Sequence, residues 1–251
     1  LTHLVEVPAV VSAISGLGFD FMSKGIKAKC LKTFLYPFYK FAFRHKNQIV
    51  IFQNQDDADF LVKWGVIKTS KVCLIRGSGV DLDVYQFSTE PKGKIIVTFV
   101  ARLLIDKGIR EFIDASRILH EKGKEAIFWI VGDIDRGNNK SVTMKEINSW
   151  KKLPNVKFFG FKENIASLYS ESNIACLPSY REGLPKSLIE AAASGRAIIT
   201  TDVPGCRDSI EVNKTGLLVP INNGNAIADA IEYLINNPDL RRRMGKAGRA
   251  Y

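Results

Sequence analysis

From Lys94 onward, short β-like runs dominated by apolar residues alternate with stretches in which apolar residues recur every three or four positions. The first kind reads as buried strand, at Lys94–Val100, Ala126–Gly132, Asn155–Phe159, Asn173–Leu177, Ala197–Thr200 and Thr215–Val219. The second reads as amphipathic helix, as over Lys107–Lys122, where Ile109, Phe112, Ile113, Ser116 and Leu119 share one face. Strands without polar alternation, separated by helices, predict a parallel sheet covered on both sides. Ligands of such a doubly wound α/β domain bind beyond the carboxyl ends of its strands.

The first ninety or so residues carry fewer such units. Pro8–Ile14, Gln48–Phe52 and Lys71–Ile75 read as strands and Asp56–Trp64 as a helix. That is too little for an independent doubly wound sheet. Residues 1–92 are therefore expected to be the back half of one Rossmann-like domain, and residues 93–251 a second one. Asp83–Lys94, with Pro91 and Gly93, is the natural linker.

Composition narrows the class. Hydrophobic residues make up 46% and charged residues 25%, the balance of a globular enzyme. No apolar run approaches the roughly 20 residues that span a bilayer, and no basic-then-apolar leader is visible. Cys30, Cys73, Cys176 and Cys206 form no CxxC pair and no metal-ligand spacing, which fits a reducing compartment. A net charge of +10 implies polyanionic company: nucleic acid, anionic lipid or phosphate-bearing substrates.

Three constellations bear on that choice. In Arg181-Glu182-Gly183-Leu184-Pro185-Lys186-Ser187-Leu188-Ile189-Glu190, a proline is placed at the first turn of a helix that follows an apolar strand. The Lys186 and Ser187 amides would face outward as an anion site. Glu182 precedes the helix and Glu190 is expected about two turns in, so both carboxylates can accept from one polyhydroxylated ligand. A capped helix with surface glutamates fits the same spacing. Arg102, after a strand, and Lys107, near the start of the next helix, put two cations at the sheet's carboxyl edge, a pairing suited to a diphosphate. Both are expected to be exposed, and Lys107 taken alone reads more readily as an ordinary solvated helix residue. Asp133 and Asp135 after Gly132 could hold a divalent metal, but a Gly-Asp at a strand end reads more readily as a tight turn.

Taken together, in this order, these residues resemble the GT-B-fold glycosyltransferases of family 4, above all their bacterial capsule and O-antigen branch. Further landmarks are Ile14-Ser15-Gly16-Leu17-Gly18, Gln53-Asn54, Gly77-Ser78-Gly79-Val80-Asp81, Gly160-Phe161, Pro204-Gly205-Cys206-Arg207-Asp208 and Gly216-Leu217-Leu218-Val219. The resemblance implies a GT-B architecture whose amino-terminal domain is incomplete in this chain and whose final crossover helix is missing. It implies a retaining, metal-independent transferase with no cofactor, moving a sugar from a nucleotide diphosphate, most commonly a UDP-hexose or UDP-N-acetylhexosamine. Arg102 and Lys107 then hold the donor diphosphate, Glu182 stands beside the donor sugar and Glu190 binds the ribose. Gly183, Leu184, Pro185, Lys186 and Ser187 form the phosphate and sugar cradle, with Gly132 and Phe161 also on the donor side. Ser15 and Gly16 fall on the acceptor side, where many relatives carry His at the Ser15 position. The 251 residues by themselves are expected to bind a nucleotide diphosphate weakly and to transfer no sugar.

Gly25–Lys46 holds Lys27, Lys29, Lys32, Lys40, Arg44 and Lys46, no acidic residue, and many aromatics. Such a segment suits the headgroups of an anionic membrane, with Lys27, Lys29 and Lys32 as contacts, and a lipid-linked saccharide acceptor would explain it. That places the protein in the cytoplasm, peripheral to the inner leaflet. A helix packing aromatics inward and lysines outward fits equally. Nucleic acid is not expected, because no reader motif accompanies the charge. Among rivals, a dinucleotide oxidoreductase needs Gly-x-Gly-x-x-Gly between strand and helix, which is absent. A GT-B-like phosphorylase, a sugar-nucleotide epimerase and a non-catalytic nucleotide- or membrane-binding module complete the alternatives.

Overall fold

The computed structural model describes residues 7–17 and 25–251, with Lys27 and Ala28 described by backbone only. Gly18 of the first landmark and the side chain of Lys27 thus lie outside the described residues. The larger layer is a six-stranded, all-parallel sheet. Its strands are β4 (Ile95–Val100), β5 (Ala126–Val131), β6 (Val156–Gly160), β7 (Ile174–Leu177), β8 (Ala197–Thr201) and β9 (Gly216–Val219), in spatial order β6-β5-β4-β7-β8-β9. Every residue of β7 and β8 is buried, as runs dominated by apolar residues favour. Helix α3 (Ile109–Glu121) turns Ile109, Phe112, Ile113, Ser116 and Leu119 inward. Phe112 packs between Phe99 and Phe128, with ring centroids 5.4 and 5.0 Å away. The remaining helices of this half are α4 (Met144–Trp150), α5 (Ile165–Ser170), α6 (Lys186–Ala193), α7 (Gly224–Asn236) and α8 (Pro238–Ala250). The strand order reverses between β4 and β7, which opens a crevice at their carboxyl ends.

The smaller layer is a three-stranded parallel sheet of β1 (Val10–Ile14), β2 (Gln48–Phe52) and β3 (Val72–Leu74), with α1 (Ile26–Ala42) and α2 (Gln55–Lys63). Trp64 anchors α1, its ring centroid lying 5.7 Å from Tyr36 and 5.5 Å from Tyr39. The linker is not loose. Arg241 pairs with Glu90 at 2.5 Å, Arg249 Nη1 donates to the Tyr85 carbonyl, and Arg196 donates to that of Ser88. Three side chains of the larger half thus fasten it.

Two local expectations are corrected. Ile105–Lys107 forms a separate 3-10 turn and α3 begins at Ile109, because Gly108 takes a left-handed φ of 75°. A Cβ on Gly108 would lie 2.1 Å from the Pro178 carbonyl oxygen, so only glycine fits. Lys107 therefore sits on a turn, not a helix. Helix α6 begins at Lys186 with Pro185 as its cap, which leaves Glu190 about one turn in rather than two.

Candidate functional site

The loop leaving β4 carries Arg102, whose Nη1 lies 2.6 Å from Asp135 Oδ2. The loop leaving β5 begins at Gly132, with φ 140°. A Cβ there would come within 1.9 Å of the Ala101 carbonyl oxygen, so the two loops abut only because position 132 has no side chain. Beyond them opens a cavity of about 600 Å³, whose lining includes Val100, Arg102, Gly132, Asp133, Phe161 and Ile165. Asp135 is neutralised by Arg102, and Asp133 Oδ1 accepts the Ile134 amide at 2.8 Å.

Lys107 reaches across the crevice. Its Nζ is 2.5 Å from Glu182 Oε1, with 19% of the lysine side chain and 14% of the glutamate side chain exposed. The expectation that Lys107 is solvent-exposed is thereby corrected: the turn closed by Gly108 directs it inward. The Glu182 loop is wedged from three sides. Glu182 N donates to the Pro204 carbonyl, and a Cβ on Gly205 would lie 2.4 Å from the Glu182 carbonyl oxygen. One on Gly183 would lie 1.6 Å from the Ser15 carbonyl oxygen and 2.3 Å from Gln53 Oε1. This contact joins the two sheets. A second cavity, of about 300 Å³, lies in the seam, with Ser15, Gly16, Arg102, Lys107, Asn138 and Glu182 among its walls. Cys206 lies beneath the loop, its thiol pushed up to about 12 by burial, with the charge of Glu182 adding to the effect.

The other predicted donor residues stand apart from both cavities. Glu190 is 7% exposed, 3.5 Å from Lys186 Nζ, and its charge acts on the Tyr85 hydroxyl. Burial first, then the Glu190 charge, drive the Tyr85 hydroxyl well above the usual tyrosine range. Leu184 packs against Gly77, Pro185 caps α6, and the Ser187 carbonyl accepts the Tyr169 hydroxyl at 2.7 Å. The seam thus gathers Ser15, Gly16, Arg102, Lys107, Glu182 and Gly183, and the larger cavity Arg102, Gly132 and Phe161. Glu190 and the stretch Leu184–Ser187 line neither. On α1, Lys29 is exposed and Lys32 lies 5.3 Å from the Phe60 ring centroid.

The description of the glycosyl transferases group 1 family matches residues 83–251. The chain belongs to that family. It is 30% identical over 254 residues to the N,N'-diacetylbacillosaminyl-diphospho-undecaprenol alpha-1,3-N-acetylgalactosaminyltransferase of Campylobacter jejuni, an alignment covering 96% of this chain and 65% of the relative. It is 23% identical over 243 residues to the UDP-Gal:alpha-D-GlcNAc-diphosphoundecaprenol alpha-1,3-galactosyltransferase of Escherichia coli, covering 91% of this chain and 60% of that one. The structure of a sucrose-phosphate synthase from Thermosynechococcus elongatus superposes with a TM-score of 0.79 and 25% identity, over 96% of this chain and 62% of that one. The chain therefore spans 60–65% of the length of these relatives, and its fold is of the GT-B type.

Within this group 1 chain, sequence reasoning missed Asn138 and Asp106 as walls of the seam. Asn138 lies in a turn, 36 positions beyond Arg102, and no spacing signal marks it. It also passed over Arg181 and Asp57, which form a buried ion pair across the two sheets. Arg181 sat inside the strongest motif, so its signal was present and unused.

Proposed function

We propose that the full-length protein is a retaining family 4 glycosyltransferase, moving a hexosyl or N-acetylhexosaminyl group from a UDP donor to a lipid-linked saccharide in surface polysaccharide synthesis. Residues 1–92 belong to its acceptor-side domain and residues 93–251 to its donor domain. The observation that carries this reading is Arg102, which borders both cavities, with Lys107 and Glu182 facing each other in the seam. The larger cavity suits a nucleoside, with Phe161 and the open backbone at Gly132 on its walls. The smaller one suits the sugar and the attacking hydroxyl, with Ser15 and Gly16 opposite Glu182. The ribose falls to Glu190 on the family resemblance alone; that side chain lines neither cavity and would first have to leave Lys186.

The bond that breaks joins the anomeric carbon to a phosphate oxygen. It leaves negative charge on the diphosphate, which Arg102 and Lys107 stabilise in place. The acceptor oxygen bonds to the anomeric carbon on the face the phosphate leaves, and its proton passes to the departing phosphate oxygen. Glu182 holds sugar hydroxyls. Two cations supply the countercharge, so no divalent ion is invoked.

The acceptor class is supported by the C. jejuni and E. coli relatives, whose names specify diphospho-undecaprenol acceptors. It is supported again by α1. Tyr36, Tyr39 and Phe43 turn inward, whereas Phe34, Phe38 and Phe41 form a stripe 67, 59 and 55% exposed. Such a helix suits the headgroups of an anionic inner leaflet and supports a peripheral position at the cytoplasmic membrane face.

The test incubates the full-length enzyme with a panel of nucleotide sugars and a diphospho-undecaprenol saccharide, with and without EDTA. Transfer with the donor's anomeric configuration kept and EDTA without effect is expected. Inversion overturns the retaining assignment, EDTA inhibition restores Asp133 and Asp135 as ligands, and no transfer from any donor overturns the reading.

A further inference from the structure

One buried carboxylate ties the two sheets together behind the seam. Asp57, in the first turn of α2, is 1% exposed. Its Oδ1 accepts from Arg181 Nη2. Its Oδ2 accepts from the Leu17 amide at 3.3 Å and from Asn54 Nδ2 at 3.2 Å. Asn54 Nδ2 also reaches the Gly183 carbonyl at 3.0 Å. Asp57 therefore holds the loop bearing Ser15 and Gly16 with one oxygen and the residue preceding Glu182 with the other.

Burial of a charged pair is weak evidence for stability, because desolvation offsets much of the attraction. Its directional contacts fix geometry instead. Arg181 Nε is buried without a partner, so the guanidinium is not optimally solvated and depends on Asp57. The neighbouring Asp56 offers a contrast. It also crosses to the larger half, meeting Arg207 at 3.5 Å, but side chains 39 and 47% exposed make that pair a screened one.

We propose that Asp57 is a positioning residue that acts through Arg181 and Asn54 to set Glu182 opposite the Ser15–Gly16 loop. The inference rests on the transferase reading for its consequence in rate. Arg102 and the larger cavity lie outside the network, and Lys107 meets it only through Glu182, so UDP binding should be spared while the reactive alignment is lost.

The test compares full-length Asp57→Asn, Arg181→Gln, Arg181→Lys and Asp56→Asn with the parent protein. Asp57→Asn and Arg181→Gln are expected to lower kcat at saturating substrates by roughly 10- to 100-fold, the cost of a misplaced reactant. UDP affinity by calorimetry should be unchanged, and amide exchange over Tyr180–Leu184 should quicken. Arg181→Lys should recover part of the rate, and Asp56→Asn should match the parent. Normal kcat with normal exchange in Asp57→Asn overturns the proposal, and so does a parallel loss of UDP affinity. If Asp57→Asn does not fold, the Arg181 pair decides: equal rates for Gln and Lys overturn it. A parent protein that transfers no sugar would sink the transferase reading instead, and the exchange comparison would still decide whether Asp57 fastens the loop.

Discussion

Lys107 and Arg102 are equivalent in the sequence, both cations near a strand end, and the fold makes them unlike. Lys107 is mostly out of water against Glu182, whereas the Arg102 side chain is 62% exposed beside Asp135. Either one changed to Ala is expected to lower kcat/KM by an amount worth about 3 kcal/mol. Only Lys107→Ala should also lower the melting temperature, because it strands a largely buried carboxylate; the cost is about 1–3 kcal/mol. Thermal denaturation run beside steady-state kinetics checks both halves. Equal melting temperatures for the two variants would show that Glu182 re-solvates freely. These residues stood out as candidates in the sequence because an Arg, a Lys and two Glu at those spacings suit the needs of a sugar diphosphate. Their surroundings were not legible there. The left-handed turn at Gly108 that aims Lys107 inward is set by contact with Pro178, 70 positions away, and the partner of Arg181 is 124 positions away. Local pattern carries no record of such pairings.

Elements fared differently. Short runs dominated by apolar residues favour a covered sheet, so β4 to β9 fell where the pattern put them, within a residue or so. Over Gly25–Lys46, α1 packs one aromatic stripe on Trp64, as the inward-packing reading expects, and leaves another exposed, on which the membrane proposal rests. Alternation of the two stripes at helical spacing made inward and outward aromatics indistinguishable in one dimension. Reversing Lys27, Lys29 and Lys32 to Glu should release the full-length protein from anionic vesicles, at about 1 kcal/mol per charge. Phe34→Ser with Phe38→Ser should weaken binding even at high salt, where charge is screened. Co-sedimentation at two salt concentrations separates the contributions, and unchanged partitioning of both variants would reduce α1 to ordinary surface. The β7–α6 loop gives the second element-scale expectation. Gly183→Ala drives a methyl into the Ser15 carbonyl, so the sheets must part or the loop must shift. Overpacking of this kind costs about 1–3 kcal/mol. Turnover should collapse while UDP binding survives; calorimetry and kinetics on the same preparation check it.

At the scale of the whole molecule, two sheets of unequal size meet at their carboxyl ends, and the larger carries most of the core. Amide exchange should be slowest in β4, β7 and β8 and faster in the three-stranded sheet, whose core is small. The paired charges of the cleft have a consequence for how a nucleotide arrives. With a net charge of +10, simple attraction would make association with a dianion fall steeply as salt is added. Yet Arg102 is already matched by Asp135, Lys107 by Glu182 and Lys186 by Glu190. On the proposed reading, an incoming diphosphate would not meet bare cations; it would displace resident carboxylates, and the site would behave as an ion exchanger whose counterions are covalently attached. Because those carboxylates stay in the cleft rather than departing into bulk solution, added salt has little to compete for. The equilibrium constant for UDP should therefore depend on ionic strength far less than the overall charge suggests, and Asp135→Asn, which leaves Arg102 unmatched, should tighten binding and steepen that dependence together.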